Sequence, residues 1–375
     1  MTVLDGLALA TAITIFGSLI LVIRNLNKLE RLPEEAQPSS SSVCLCIPAR
    51  NEAREIGGAL ATWIAQDHGT LRIVVVDDGS TDATPEILAS LACDRLRVIR
   101  NETLPPGWLG KNHAMHLATE TAEAKAADWL LFADADVKAA PSLLRRALAH
   151  AEAAGADVLA LVPGQDTGSF GERLLLPVLG SGFLMVVPAD RVAEPGAMAC
   201  AGIGAFTLVR RSVYDMLGGH AAAPLEAIDD MMLARRAKLA GFSNRLGQGG
   251  PDLRIRMYGS GAEALRAMRK NVLALPLVWV AFPVLGPLSL ALWLAPLWLP
   301  FAGWPILAVV IWLAVPAVVA EAHQRLSDHP ADLVWALWPL AGPALLWGAI
   351  PAFWDRLRGV NRWRDREIPT AKSSV

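Results

Sequence analysis

At 375 residues the chain has room for one large catalytic domain with added segments, or for two modest domains, and its net charge of −2 gives no electrostatic footprint for nucleic acid. With 53% hydrophobic residues and a mean hydropathy of +0.37, it is too apolar for an ordinary soluble enzyme. The excess lies at the N-terminus and in the last third, while the middle has the composition of a soluble α/β domain.

Residues 7–23 carry no charge, and as a helix they reach about 25 Å, just short of a bilayer core of about 30 Å. Arg24, Lys28 and Arg31 follow this run and no small-x-small site ends it. That pattern fits an uncleaved anchor over residues 1–24 better than a signal peptide. The positive-inside rule then puts the N-terminus outside and the following chain in the cytoplasm. A polar linker, 25–42, carries Pro33, Pro38 and a run of serines.

Strands are expected over 43–47, 72–76, 96–99 and 129–133, with helices over 52–65, from about 84, and over 113–126. Such alternation, with polar clusters at the strands' carboxyl ends, indicates an α/β fold with a mostly parallel open sheet and a ligand site along that edge. The four cysteines, Cys44, Cys46, Cys93 and Cys200, lack partners at zinc-ligand spacing. They are expected as buried free thiols in a reducing compartment. Within the middle, the uncharged run 174–188 reads either as core or as a membrane-dipping contact.

From residue 272 to 320 there is no charge at all, enough for a helical hairpin turning near 300–305, and 333–353 makes another span. Membrane helices are therefore expected over 272–353. Three full C-terminal spans would leave the tail, 354–375, outside. Its arginines (Arg356, Arg358, Arg362, Arg364, Arg366) argue for the inside, so one apolar segment could lie along the interface instead.

Asp134-x-Asp136 follows a buried strand, and a hard cation such as Mg²⁺ or Mn²⁺ takes one or two such oxygens plus phosphate oxygens. For both carboxylates to converge, the strand must end there in a turn. Alone, the pair also reads as a solvated acidic turn. Asp77-Asp78-Gly79-Ser80 again follows a strand, where an aspartate can accept hydrogen bonds from a base or ribose and Gly79 permits a sharp turn. An Asx-type turn capping the next helix is the plainer reading. Asp229 and Asp230 head a helical stretch, where the helix N-terminus stabilises charge while one acid raises the pKa of the other. His113 and His116 stand one helical turn apart but lack an acidic third ligand nearby in sequence. His220, after Gly218-Gly219, is a candidate for reaching a phosphate or an acceptor.

In order along the chain, Ile47-Pro48-Ala49-Arg50-Asn51-Glu52, Val76-Asp77-Asp78-Gly79-Ser80-Thr81-Asp82 and Phe132-Ala133-Asp134-Ala135-Asp136 resemble the successive motifs of family-2 inverting glycosyltransferases of the GT-A fold. The resemblance runs over about 43–271, the expected catalytic domain. Gly107-Trp108-Leu109-Gly110-Lys111, Gly202 to Leu208 with Gly218-Gly219-His220, Arg256-Met257-Tyr258 and Trp363-Arg364-Asp365-Arg366 are similar to a membrane subgroup. That subgroup includes carotenoid (diaponeurosporenoate), hopene-associated and, more distantly, ceramide glycosyltransferases.

The resemblance implies a role for each matching residue. Pro48, Ala49, Glu52 and Asp78 would line the base and ribose pocket, with Lys111 beside the nucleotide. Asp136 would bind Mg²⁺ or Mn²⁺, with Asp134 near the ribose or the metal. Asp230 would be the general base, beside Asp229, and Arg256 would neutralise the diphosphate. The implied donor is a nucleoside diphosphate sugar, expected as a UDP-sugar. The implied acceptor is a lipid or isoprenoid, met at the cytoplasmic face of the cell membrane among its lipids. Arg-Met-Tyr stands where polysaccharide synthases carry Gln/Arg-x-x-Arg-Trp, which argues against processive polymerisation. Asp229 replaces the usual Glu, and Asp365 stands where kin have glycine. A phosphatase of the Asp-x-Asp kind wants Thr or Val where Lys138 stands. A catalytically silent nucleotide-sugar-binding scaffold keeps no such mismatch.

Overall fold

The computed structural model describes residues 2–274, 286–328, 330, 332–358, 362–363 and 366–367. Part of the long apolar stretch (275–285) and, in the tail, Arg364 and Asp365 lie outside them. The chain forms two compact units: residues 28–164 with 188–256, and residues 1–27, 165–187 and 257–375.

The first unit is built on a nine-stranded sheet: β1 (Glu30–Arg31), β2 (Val43–Ala49), β3 (Leu71–Asp77), β4 (Leu96–Arg100), β5 (Trp129–Phe132), β6 (Val137–Ala139), β7 (Val158–Gln165), β8 (Thr207–Arg210) and β9 (Asn244–Ile255). Its order is β1-β9-β7-β8-β5-β2-β3-β4, with β6 on β9. The run β4-β3-β2-β5 is parallel, as the βα alternation requires. β8 then enters antiparallel to both β5 and β7, making the sheet mixed. Apolar runs such as Ile73, Val74, Val75 and Val76 fill both faces. Ile73 and Val75 pack with Trp63 and Phe206 on one side, Val74 and Val76 with Met115 and Phe132 on the other.

Two helices of this unit differ from their sequence reading. The first starts at Ile56, not 52, because Asn51 adopts φ +54° and the Glu52 carbonyl closes a tight turn, accepting from Glu55 and Ile56 N–H. The 113–126 helix is two pieces, Gly110–Thr119 and Ala122–Lys125, since Thr121 leaves the helix to cap the second piece through its side chain. Of the cysteines, Cys93 is exposed and Cys200 half-buried. The expectation of four buried thiols therefore fails at Cys93, in the polar turn after Thr84–Ser90. The proline- and serine-rich stretch is tied to its own unit. Ser39 and Ser41 donate to Glu152, Arg146 donates to the Pro33 carbonyl, and Glu30 pairs with His150 and Arg245.

Among the described residues, the second unit holds three helices long and apolar enough to cross a membrane: Val3–Lys28, Pro305–Ser327 and Leu333–Pro351. The first extends beyond residues 7–23 because Asp5, which bounds the uncharged run, accepts the Thr2 N–H at 2.7 Å and lies inside the first turn. Phe170–Val186, containing most of the ambiguous 174–188 run, packs in this unit, where Leu174, Leu175 and Leu176 meet Ala264 and Ala341. Gly171 and Gly261 let two backbones touch: a Cβ on Gly171 would lie 2.7 Å from the Gly261 Cα. Ile13, Ile20, Ile306, Leu313 and Trp347 remain exposed, as lipid-facing side chains would.

Candidate active site

All groups described here belong to the sheet-based unit. The carboxyl ends of β2 and β3 are laced into one surface. Asp78 N–H donates to the Ala49 carbonyl, Asn51 N–H to Ser80 Oγ, and Thr81 N–H to Asn51 Oδ1. Gly79 at φ +67° makes the turn that the sequence asked of it. Asp77 faces inward to its own loop, accepting from Ser80 N–H and pairing with Arg100 at 3.2 Å. Asp78 is buried; Asn101 Nδ2 donates to its Oδ1 at 2.8 Å, and Arg50 donates to its carbonyl at 2.6 Å. Asn101 also meets His113 Nδ1 at 3.3 Å. Burial pushes the His113 imidazole below its usual pKa, with the Asp78 charge opposing. Trp108 stacks on His116 and sets its edge toward His113.

After β5 the chain does turn, with Val137 N–H donating to the Asp134 carbonyl at 3.3 Å, so Asp134-Ala135-Asp136 sit on a bend rather than along an extended strand. Asp134 N–H donates to the Gly204 carbonyl at 2.9 Å, and a Cβ on Gly204 would lie 2.6 Å from Asp134 Oδ2. Lys111 Nζ reaches Asp134 Oδ1 at 2.9 Å and Asp229 Oδ1 at 3.3 Å. Burial opposes the charge on Lys111, but Asp134, Asp229 and Asp230 together hold its pKa well above the usual value.

Asp229 and Asp230 open the helix Asp229–Leu239. Burial works against ionising Asp229, and Lys111 with His220 overcomes it, holding that carboxyl below the usual range. Asp230 is the opposite case: burial first, then the Asp229 charge, push it up to about 6. The loop before this helix is fastened by Asn112, whose Nδ2 lies within 3.2 Å of the Ala223, Pro224 and Glu226 carbonyls. Gly202 lies against the helix start, since a Cβ there would fall 2.0 Å from the Asp230 carbonyl oxygen.

Residues 44–217 match the model for "Glycosyl transferase family 2". This chain carries a family-2 glycosyltransferase domain. It is 26% identical over 235 residues to 4,4'-diaponeurosporenoate glycosyltransferase from Staphylococcus aureus (strain USA300). That alignment spans 60% of this chain and 59% of the relative. Among solved structures, the mannosyltransferase PcManGT from Pyrobaculum calidifontis, in complex with GDP-Man and Mn2+, superposes with a TM-score of 0.57 at 20% identity. The match covers 94% of this chain and 100% of that one. The glycosyltransferase domain thus has the GT-A fold, with apolar helices at both ends of the chain.

Within this domain, Lys111 draws Asp134 and Asp229 together. His113, two residues on from Lys111 in the helix Gly110–Thr119, reaches Asn101 and through it Asp78. Pro48 and Ala49 end β2, where the Ala49 carbonyl accepts from Asp78 N–H, and Glu52 lies on the loop that follows; Asp136 is half-buried in the bend, and Arg256 is half-buried just past β9. For a divalent cation, no cluster of three His, Cys, Asp or Glu occurs among the described residues. Asp134 and Asp136 share the bend after β5, and a hard cation shared with phosphates needs only one or two carboxylates, although Asp134 Oδ1 is here held by Lys111 at 2.9 Å. Sequence reasoning did not single out Asn101, Asn112, Tyr214 or Thr119. Asn112, directly after the Gly-Trp-Leu-Gly-Lys motif, was the one with a local signal.

Proposed function

We propose that the chain is a metal-dependent, inverting glycosyltransferase. It would move a sugar from a nucleoside diphosphate donor, expected as a UDP-sugar, to a lipid or isoprenoid acceptor at the cytoplasmic face of the cell membrane. The observation that carries this reading is the split acid pair: Asp229 held ionised by Lys111, and Asp230 beside it raised to about 6. A group poised near neutrality is suited to take a proton, and divergent environments assign the roles within such a pair.

In this account Pro48, Ala49, Glu52 and Asp78 hold the base and ribose, and Lys111 and Arg256 face the diphosphate. Asp134 and Asp136 would hold Mg²⁺ or Mn²⁺, which when bound supplies positive charge to the leaving diphosphate. Asp230 takes the proton of an acceptor hydroxyl as that oxygen attacks the anomeric carbon from the face opposite the leaving group. The glycosidic bond to the diphosphate breaks, and the configuration inverts. A carboxylate acceptor, as the name of the staphylococcal relative suggests for that enzyme, arrives already deprotonated and does not need the base. The three apolar helices keep the chain in the bilayer, where an apolar acceptor partitions. Among the described residues, two of them follow the catalytic motifs.

Titration calorimetry with UDP and Mn²⁺ tests the donor half. Binding is expected for the native chain and a loss of at least tenfold for Asp136→Asn; equal metal-dependent binding by both would remove Asp136 from the site.

A further inference from the structure

His220 is buried, at 5% exposure, and each ring nitrogen faces a polar group of the domain. Nδ1 lies 2.8 Å from the Tyr214 hydroxyl, and Nε2 faces Asp229 Oδ2 at 3.7 Å, an electrostatic contact too long for a direct hydrogen bond. The ring is gripped by Tyr214 and by the edge of Phe132, two residues before Asp134. Its backbone is fixed as well. Gly218 and Gly219 have φ +71° and +52°, a Cβ on Gly219 would strike the Tyr214 ring at 2.4 Å, and His220 N–H donates to the Tyr214 oxygen at 3.0 Å.

The protons in this network can be placed. Thr119 donates its hydroxyl hydrogen to the His116 carbonyl at 2.8 Å, so toward Tyr214, 3.2 Å away, it can only accept. Burial pushes the Tyr214 phenol up to about 12, so it keeps its hydrogen. The shorter of its two partners is His220 Nδ1, and a hydrogen given there leaves the imidazole N–H on Nε2, directed at Asp229. Asp229 is then braced on both oxygens, by Lys111 at Oδ1 and His220 at Oδ2.

We propose that His220 is a positioning residue of the transfer reaction, fixing the Asp229 carboxylate opposite Lys111 and so aiming Asp230 on the first turn of the same helix. The catalytic part of this inference rests on the reading given under Proposed function; the contact itself does not.

The test compares His220→Gln, whose amide can stand near the imidazole Nε2, with His220→Asn, whose amide reaches only the Nδ1 position. Purified protein in vesicles of membrane lipid extract is given UDP-glucose and Mn²⁺, and kcat and the donor KM are measured. His220→Asn is expected to lose about tenfold or more in kcat with the donor KM within about twofold, while His220→Gln keeps kcat within about threefold. Equal losses in the two variants, or a loss carried by KM, would overturn the positioning role. A second arm needs no substrate: imidazole ¹⁵N shifts of the donor-free protein, native and Asp229→Asn. The His220 Nε2 resonance is expected to move, and an unmoved resonance overturns the contact. If the native protein turns over no sugar while that resonance moves, the catalytic reading falls and the contact stands.

Discussion

Two adjacent aspartates with opposite behaviour are the centre of the residue-scale account. Asp230→Asn is expected to reduce transfer to a hydroxyl acceptor by about 10²-fold or more while leaving UDP binding intact, as loss of a general base does. Rates and calorimetry on one preparation check this. As the proposed base, Asp230 would have to be ionised to act, so kcat on a hydroxyl acceptor should fall as pH drops through about 6. For a carboxylate acceptor that limb should be absent. The stability consequence has a definite sign. Asp230 holds its proton more tightly folded than unfolded, so its stabilising contribution is complete below the ordinary value of 3.8 and is lost as pH rises through about 6. The metal-free Asp230→Asn protein should therefore melt higher than the native chain at pH 7.5, and a lower melting temperature would contradict the raised pKa. Lys111→Met removes the cation shared by Asp134 and Asp229. It should move the acidic limb upward by relieving less of the repulsion on Asp230.

At the scale of elements, the site depends on close approaches that only glycine permits. Gly202→Ala would put a methyl 2.0 Å from the Asp230 carbonyl oxygen, forcing the helix start away at a cost on the order of 1–3 kcal/mol. The expected result is a fall in both melting temperature and kcat, read by thermal unfolding and steady-state rates. Elements and motifs were legible where local pattern carries them. The β-branched run of β3, the turn at Gly79 and the acids at the head of Asp229–Leu239 each announce themselves within a few residues. The break at Thr121 was hidden because a helix-compatible sequence continues across it and a single cap decides. Asn101, Asn112, Tyr214 and Thr119 were hidden for a different reason. The partners that tie them into the site lie between 6 and 114 residues away in the chain, and polar side chains carry no periodicity that would point to such partners. His220 was visible as a candidate, but its direction was not. Sequence left open a reach to a phosphate or an acceptor, and the fold sets its Nε2 3.7 Å from Asp229 Oδ2.

At the scale of the whole molecule, one chain combines a GT-A glycosyltransferase domain with helices apolar enough to span a bilayer, three of them among the described residues. The protein should stay in the membrane fraction through an alkaline carbonate wash and leave it only with detergent; release by the wash would contradict the spanning reading. The central claim joins that location to the acidic site: a metal-bound nucleotide sugar is discharged onto a lipid. The most direct measurement is transfer of radiolabel from UDP-glucose and, in parallel, GDP-mannose into the organic phase of membrane vesicles. Native protein with Mn²⁺ is set against the same protein with EDTA and against Asp136→Asn. The account predicts lipid-soluble label from at least one donor in the first case, and at most background in the other two. Label that remains in water, or that enters lipid equally in all three, would contradict it.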